Sequence, residues 1–160
     1  MNYNETMKIV RHVDDLIMPG QIPGSDWIDL RAAEDVWIPE GTFKLIDLGV
    51  SVKLPPKYEA HVIPRSSLFK NFGLIQTNSI GLIDNSYCST KDVWKYPVYC
   101  LEGRDFQNGV KGTMIHKNDR ICQFRIVENQ PRIKFVEVDT LAYDERQKFF
   151  IGGFGNTGVS

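Results

Sequence analysis

The sequence predicts an all-β domain, and three observations carry that prediction. Short segments alternate apolar and polar residues with a period of two, which is the pattern of half-buried strands. Proline and glycine recur between these segments, and no segment keeps a helical period over three turns. Many short strands separated by turns are typical of a sandwich, a jelly roll or a barrel rather than of a sheet with crossover helices.

The individual strands follow from the alternation. It is clearest in residues 43–45, 50–54, 122–126 and 135–138, and a further strand is expected at residues 58–63. Each segment places its apolar residues on one face. We therefore expect half-buried strands at all five places.

Two other segments depart from this pattern. Residues 101–117 are polar and rich in turn residues, and the dipeptide Asn108-Gly109 favours a tight turn, so we expect an extended hairpin loop. Residues 152–158 are too rich in glycine to pack as a strand and should be disordered when nothing binds them. The sequence thus predicts one domain over residues 1–151 and a flexible tail over residues 152–160.

Size, charge and cysteine usage limit the class of protein. A chain of 160 residues with a formal net charge of −1 indicates one core and no global field that attracts nucleic acid or an anionic membrane. There is no apolar run near the roughly 18 to 20 residues of a membrane span, and the polar start does not resemble a signal peptide. Cys88, Cys100 and Cys122 lack the CxxC spacing and are odd in number, which indicates reduced thiols. We expect a cytoplasmic protein without a direct nucleic-acid or membrane partner.

A first group of polar residues follows the strand expected at residues 58–63. Arg65, Ser66 and Ser67 bring together a guanidinium, two hydroxyls and turn amides, the donors that grip phosphate oxygens. An ordinary strand end with a solvated arginine explains the same three residues when they are taken alone.

A second group lies in residues 78–87, NSIGLIDNSY, which we interpret as a hairpin. The backbone of such a hairpin can read the edge of a pyrimidine ring, with Tyr87 against the sugar. A carboxylate near a chain of phosphates can take a proton from an attacking water, so Asp84 is the candidate general base. Singly, a turn-forming aspartate and an aromatic at the rim explain these residues better.

Two weaker signals complete the set. Gln123, in the segment NDRICQ, would orient water or a phosphate oxygen, although an outward-facing strand residue is the simpler interpretation. The successive glycines of the tail free backbone amides to wrap oxygens, and Phe154 would lie flat on a base. The order and joint presence of all four groups favour the functional interpretation over the simpler ones.

In that order the segments resemble the five motifs of the homotrimeric deoxyuridine triphosphatase (dUTPase) family, over residues 24–158. The tract with Trp94, Pro97 and Cys100 is similar to variants from Gram-positive bacteria and their phages. The five motifs are matched by DLRAA at residues 29–33, PRSSLFKNFG at 64–73, NSIGLIDNSY at 78–87, NDRICQ at 118–123 and GGFGNTG at 152–158.

The resemblance implies a distorted β jelly roll or barrel that forms a homotrimer, in which three subunits share each active site and the tail closes over a neighbour's nucleotide. It implies hydrolysis of dUTP to dUMP and pyrophosphate, through attack on the α-phosphorus by a water that Asp84 activates. Such an enzyme keeps uracil out of DNA and supplies dUMP for dTMP synthesis. The implied cofactor is Mg²⁺, held through the substrate phosphates and water with no direct protein ligand.

The resemblance also assigns roles to single residues. Tyr87 would stack on the deoxyribose and exclude a 2′-hydroxyl, and Asp29 would support the site. Uracil would be read by Asn78, Gly81, Leu82 and Ile83; phosphates would be held by Arg65, Ser66, Ser67 and Gln123; and the tail would bind substrate through Phe154, Asn156 and Thr157.

Several positions depart from the family pattern. The fifth motif normally opens with an arginine directed at the γ-phosphate, but the ungapped match places Phe149 there, with Arg146 and Lys148 nearby. Ser86 replaces a second acidic residue that commonly follows the catalytic aspartate, and Asn156 replaces a common serine. We expect the uracil and sugar side of the site to be intact and the γ-phosphate side to differ.

Two alternatives come with this interpretation. A dCTP deaminase, alone or combined with dUTP cleavage, shares the fold and the Arg-Ser-Ser phosphate grip, since folds are shared more widely than chemistry. A regulatory protein of the same fold would instead bind a repressor through residues 101–117.

Overall fold

Twelve strands and one short helix form the described part of the chain, residues 5–139, in a computed structural model. The predicted all-β class is confirmed. The elements are β1 (Lys8–Arg11), β2 (Ile28–Arg31), β3 (Val36–Pro39), β4 (Phe43–Asp47), β5 (Val50–Lys53), β6 (Tyr58–Pro64), α1 (Leu68–Phe72), β7 (Leu74–Gln76), β8 (Gly81–Ile83), β9 (Lys95–Cys100), β10 (Asp105–Gln107), β11 (Val110–Ile115) and β12 (Arg120–Glu128).

The strands form four small antiparallel sheets, ordered β1-β5, β10-β11-β3, β2-β12-β6-β8 and β4-β9-β7. Most neighbours within a sheet are distant in sequence, as in jelly-roll and barrel folds. The four-stranded sheet determines where the candidate site residues lie, because β6 pairs with both β8 and β12.

One hydrophobic cluster lies behind these sheets, and strand alternation produces it. In β9, for example, Tyr96, Val98 and Cys100 are buried while the residues between them are partly exposed. Next to this strand the ring of Trp94 packs edge-on against Phe124 at a centroid distance of 5.2 Å. Within residues 5–139 no helix has the length and apolar character needed to cross a membrane.

The three cysteines are free thiols. Cys100 and Cys122 are buried, and burial raises the pKa of both thiols. Thiols held in the protonated form and away from solvent pack as small apolar groups and are poor nucleophiles.

Two sequence-based predictions about strands are wrong. Residues 135–138 form no strand, and Phe135 is 91% exposed. Residues 78–87 are not a hairpin, because β7 pairs with β9 while β8 pairs with β6. The segment between β7 and β8 is a turn that joins two sheets. A period of two shows that a segment has an apolar face, but it does not show which strand will pair with it.

The segment at residues 101–117 contains the predicted tight turn. Asn108 and Gly109 both have positive φ, 51° and 79°, which suits a two-residue hairpin turn between β10 and β11. The segment is less loop-like than expected, since β11 also pairs with β3 along four residues. The predicted tail at residues 152–160 lies outside the described residues.

Candidate active site

A cavity of about 320 Å³ lies between the β7–β8 turn and β9. Five residues that the sequence predicts as substrate-binding line it: Asn78, Gly81, Leu82, Ile83 and Tyr87. Its volume is at the lower end of the range for small-molecule sites, which suits a nucleoside. The prediction that these residues bind substrate stays a prediction, but the structure brings them together.

Gly81 allows the close packing that forms one wall of this cavity. A Cβ at Gly81 would lie 3.2 Å from Cβ of Val62 on β6, closer than most such contacts. A larger residue would push β8 away from β6, so the backbone of the turn would move with it.

Gln76 is a cavity residue that sequence reasoning missed. Its Nε2 donates to Oδ1 of Asn78 at 2.8 Å and to the carbonyl of Val62 at 3.1 Å, which fixes the side chain of Asn78. Gln76 pairs with the fully buried Val98, so it is a polar residue at an inward position of its strand. An inward glutamine in an alternating segment is the sequence signal that could have identified it.

The cavity wall also contains polar atoms whose hydrogen bonds are unmet. Within the described residues, Gln76 Oε1, Trp94 Nε1 and Tyr96 Oη are buried without a partner, and all three residues line the cavity. Buried polar groups in native proteins are normally paired. These three atoms are inaccessible to solvent, so they lie behind the cavity surface rather than on it.

Asp84 follows β8 directly and is exposed, between the lining residues Ile83 and Tyr87. Its Oδ1 accepts hydrogen bonds from the amide of Ser86 at 2.8 Å and from Oγ of Ser86 at 2.5 Å. These bonds, the hydroxyl first, hold the pKa of the Asp84 carboxyl below its usual range. The side chain is an ionised carboxylate at neutral pH, which a general base must be.

Two bonds fix the loop on either side of this carboxylate. Asn85 Nδ2 donates to the carbonyl of Tyr58 at 2.9 Å, which holds the loop at the first residue of β6. Tyr87 Oη donates to the carbonyl of Val93 at 3.0 Å, so its ring is anchored at the cavity rim.

A second cluster contains the predicted phosphate-binding residues. Arg65 Nε contacts Asp29 Oδ1 at 2.8 Å, and Arg120 Nη1 contacts Asp29 Oδ2 at 3.2 Å. Gln123 Nε2 donates to the carbonyl of Pro64 at 3.3 Å. Sequence reasoning assigned no role to Arg120, because only the pairing of β12 with β2 brings it to Asp29.

The two serines predicted beside Arg65 lie where the chain enters α1. Ser66 is exposed, and Ser67 precedes the helix without a side-chain capping bond. Their hydroxyls therefore follow Arg65 directly in the chain.

Asp84 and Arg65 lie at opposite ends of β6. Ile83 pairs with Ala60, so Asp84 is level with Glu59, whereas Arg65 comes directly after β6 ends at Pro64. The six residue-to-residue steps from 59 to 65 span roughly 20 Å in an extended strand. One chain therefore does not bring its own Asp84 and Arg65 to the same phosphate.

The remaining predicted site residues, Phe154, Asn156 and Thr157, and the position of Phe149, lie outside the described residues. Within residues 5–139 no group of three or more histidine, cysteine, aspartate or glutamate side chains is arranged to hold a metal ion. Asp29, the predicted supporting carboxylate, is instead paired with two arginines.

Comparisons with known proteins identify the family of this chain. The dUTPase family profile matches residues 16–158. The chain is 53% identical over 134 residues to the SPbeta prophage-derived deoxyuridine 5′-triphosphate nucleotidohydrolase YosS of Bacillus subtilis, covering 84% of each chain. It is 33% identical over 148 residues to a deoxyuridine 5′-triphosphate nucleotidohydrolase of Thermoanaerobacter, covering 91% of this chain and 90% of that protein.

Solved structures show the same fold at lower identity. A Staphylococcus bacteriophage 80alpha dUTPase mutant with dUpNHpp has a TM-score of 0.73 at 21% identity, covering 98% of this chain and all of that one. A dUTPase mutant from phage phi11 of Staphylococcus aureus, described with a structural Mg(II) ion, has a TM-score of 0.70 at 18% identity, covering 84% and 99%. With the profile match over nearly its whole length, the chain belongs to the dUTPase family.

Proposed function

We propose that this protein hydrolyses dUTP to dUMP and pyrophosphate, with the deoxyuridine in the cavity between β8 and β9. The observation that supports this most directly is the position of Asp84. It is an exposed carboxylate with a lowered pKa, between two residues that line a nucleoside-sized cavity. The free cysteines fit a reducing cytoplasm, where the enzyme would keep uracil out of DNA and supply dUMP for dTMP synthesis.

The chemistry begins with Asp84. The carboxylate takes a proton from a water molecule, whose oxygen attacks the α-phosphorus. The bond from that phosphorus to the bridging oxygen breaks, and pyrophosphate leaves with the electron pair. Tyr87 packs against the deoxyribose and leaves no room for a 2′-hydroxyl.

Uracil is read at the turn between the two sheets. The backbone around Asn78 and Gly81 bonds to the edge of the ring, with the Asn78 side chain held by Gln76. Because Gly81 already lies close to Val62, the backbone has little space to retreat from a 5-methyl group. Thymine nucleotides are therefore excluded.

The phosphate groups are held by Arg65, Ser66, Ser67 and Gln123 of a second copy of the chain, because β6 separates these residues from the Asp84 of their own chain. An exposed apolar surface next to the cavity is suited to that contact. Phe43, Tyr99 and Ile75 pair across β4, β9 and β7, and the neighbouring Leu45 and Pro97 also line the cavity. Phe43 is 57% exposed and Leu45 47%, which is costly for an isolated chain. A homotrimer covers this surface, and its third copy supplies the tail with Phe154, Asn156 and Thr157.

Mg²⁺ is the cofactor that the triphosphate would bring. The oxygen-rich phosphates and water satisfy its preferred octahedral coordination. When bound, the ion would neutralise charge on the phosphates. Within the described residues, Arg65 and Arg120 can also neutralise phosphate charge. They do so as cations and not as metal ligands.

A pyrophosphate-release assay across dUTP, dCTP, dTTP and UTP tests the proposed reaction. Only dUTP should respond strongly, because each of the other nucleotides conflicts with the cavity at one position of the base or the sugar. Release of ammonia from dCTP would support the deaminase alternative, which the dUTP-cleaving relatives do not favour.

A second proposal concerns the β10–β11 hairpin as a docking surface for a repressor protein. Its Phe106 is 74% exposed, which is unusual for an aromatic side chain. Phe106→Ser should abolish capture of a repressor and leave dUTP turnover unchanged. A point substitution is preferable to deleting residues 104–111, because Val110 and Lys111 belong to β11. A loss of turnover in this variant would place the hairpin in the active site instead.

A further inference from the structure

Ser86 occupies an unusual position relative to the candidate base. It stands where the family commonly has a second acidic residue, yet here it donates two hydrogen bonds to the carboxylate of Asp84. An ionised carboxylate at the same position has no proton to donate. The exchange of an acid for a serine therefore reverses the interaction with Asp84, from repulsion to attraction.

Both bonds from Ser86 go to the same oxygen. The amide lies 2.8 Å and the hydroxyl 2.5 Å from Oδ1, whereas Oδ2 receives no hydrogen bond from a side chain in residues 5–139. A hydroxyl bonded to a carboxylate is among the shorter and stronger hydrogen bonds in proteins. Among the side chains of residues 5–139, only Ser86 bonds to this carboxylate, and it does so through Oδ1; the amide of Tyr87 adds a smaller contribution.

We propose that Ser86 is a positioning residue for the reaction: it holds Oδ1 of Asp84 so that Oδ2 faces the attacking water. This inference rests on the proposed function of Asp84 as the general base. Ser86 itself touches neither the substrate nor the water. Its contribution is a fixed direction for the oxygen that takes the proton, which matters because proton transfer in the transition state depends on a short, aligned contact.

The surroundings leave Ser86 as the main influence on the ionisation of Asp84. The lowering of its pKa comes first from the Ser86 hydroxyl, then from the Ser86 and Tyr87 amides, with slight burial acting in the opposite direction. Several titratable groups on the adjoining elements have partners: Glu59 with His61, Tyr87 with the carbonyl of Val93, Cys88 with the carbonyl of Asn85, Asp92 with the amide of Ser89, and Lys95 with Asp47. The exposed Lys57 and Lys91 form no ion pair within residues 5–139, and neither contributes to the lowered pKa of Asp84.

Ser86→Ala tests the proposal, with Ser86→Thr as the conservative variant. The alanine variant should lose roughly tenfold in kcat, as expected for one hydrogen bond to a charged group, with KM for dUTP little changed. The acidic limb of its kcat profile should move to higher pH, because the carboxyl loses its main stabiliser and protonates more readily. The threonine variant keeps the hydroxyl and should restore both properties. Ser86→Asp should move the limb further up, since a like charge favours the protonated form of Asp84.

Ser89→Ala is the matched control. Ser89 also lowers the pKa of a nearby, partly exposed carboxyl, that of Asp92, in the same loop. Its removal should leave the acidic limb where it is. If this control moved the limb equally, the effect would belong to the loop as a whole and the proposal would be overturned.

A second measurement separates this inference from the proposed reaction. Direct NMR titration of the Asp84 carboxyl carbon, without substrate, should show a higher pKa in Ser86→Ala than in the unchanged protein. An unmoved titration overturns the positioning role even if Asp84 is the base. A moved titration with unchanged kcat and an unmoved acidic limb overturns it as well.

Discussion

Replacement of Asp84 by asparagine is expected to lower kcat by about 10² to 10⁴-fold or more, the size of effect that a general base and its positioning supply together. Asparagine has nearly the same shape and keeps an oxygen that can accept from Ser86, so the loop and the cavity should survive. A non-hydrolysable imido analogue of dUTP should therefore bind with little change. Single-turnover kinetics and calorimetry measure the two quantities separately.

Asp92→Asn is the control for this variant. Asp92 is a carboxylate of the same loop and its pKa is also lowered. Like Asp84 it is not itself a lining residue of the cavity, but it has no role in the proposed reaction. Turnover should be unaffected by its loss. Undiminished turnover in Asp84→Asn would refute the role of Asp84 as the base.

Subunit mixing is expected to restore activity to two inactive variants. Asp84→Asn should lack the base and Arg65→Ala should lack a phosphate ligand, so each homotrimer should be nearly inactive. In mixed assemblies an intact site needs Asp84 from one copy and Arg65 from another. At equal amounts with random assembly about a quarter of the sites should be intact, because each requirement is met half the time. The measurement is dUTP turnover after co-refolding.

The same experiment discriminates sharply between a shared site and a site within one chain. If one chain supplied both groups, every chain in the mixture would be defective and no activity would return. Mixing two separately purified samples of Asp84→Asn is the appropriate control. The separation of the two groups by β6 predicts recovery.

The parts of the site that the sequence predicts are those carried by contiguous segments. Asp84 and Tyr87 stand in one run of ten residues, and the local spacing already places them beside one another. Gln76 and Arg120 were missed because their roles depend on which strands become neighbours. Gln76 bonds to the carbonyl of Val62 and pairs with Val98, and Arg120 reaches Asp29 through the pairing of β12 with β2.

The errors about strands have the same physical origin. Alternation correctly identified β5 and β12 because both strands pair within the described chain. It failed at residues 135–138, which form no strand. The hairpin predicted at residues 78–87 does not form because β7 pairs with the longer strand β9 and β8 pairs with the longer strand β6. The local alternation indicates that a segment has an apolar face, but which strands pair depends on the rest of the chain.

The length of β6 has a consequence for how this protein behaves when it is scarce. In the proposed shared site, a strand of seven residues separates Asp84 from Arg65 of the same chain, so a solitary subunit should have no activity. The activity per subunit should then fall on dilution, at concentrations where the assembly dissociates. In a cell that makes both an intact and a defective version of the chain, the defective version would silence sites on intact neighbours. In the proposed assembly, the length of one strand therefore makes activity depend on the concentration of subunits and on whether neighbouring subunits are intact.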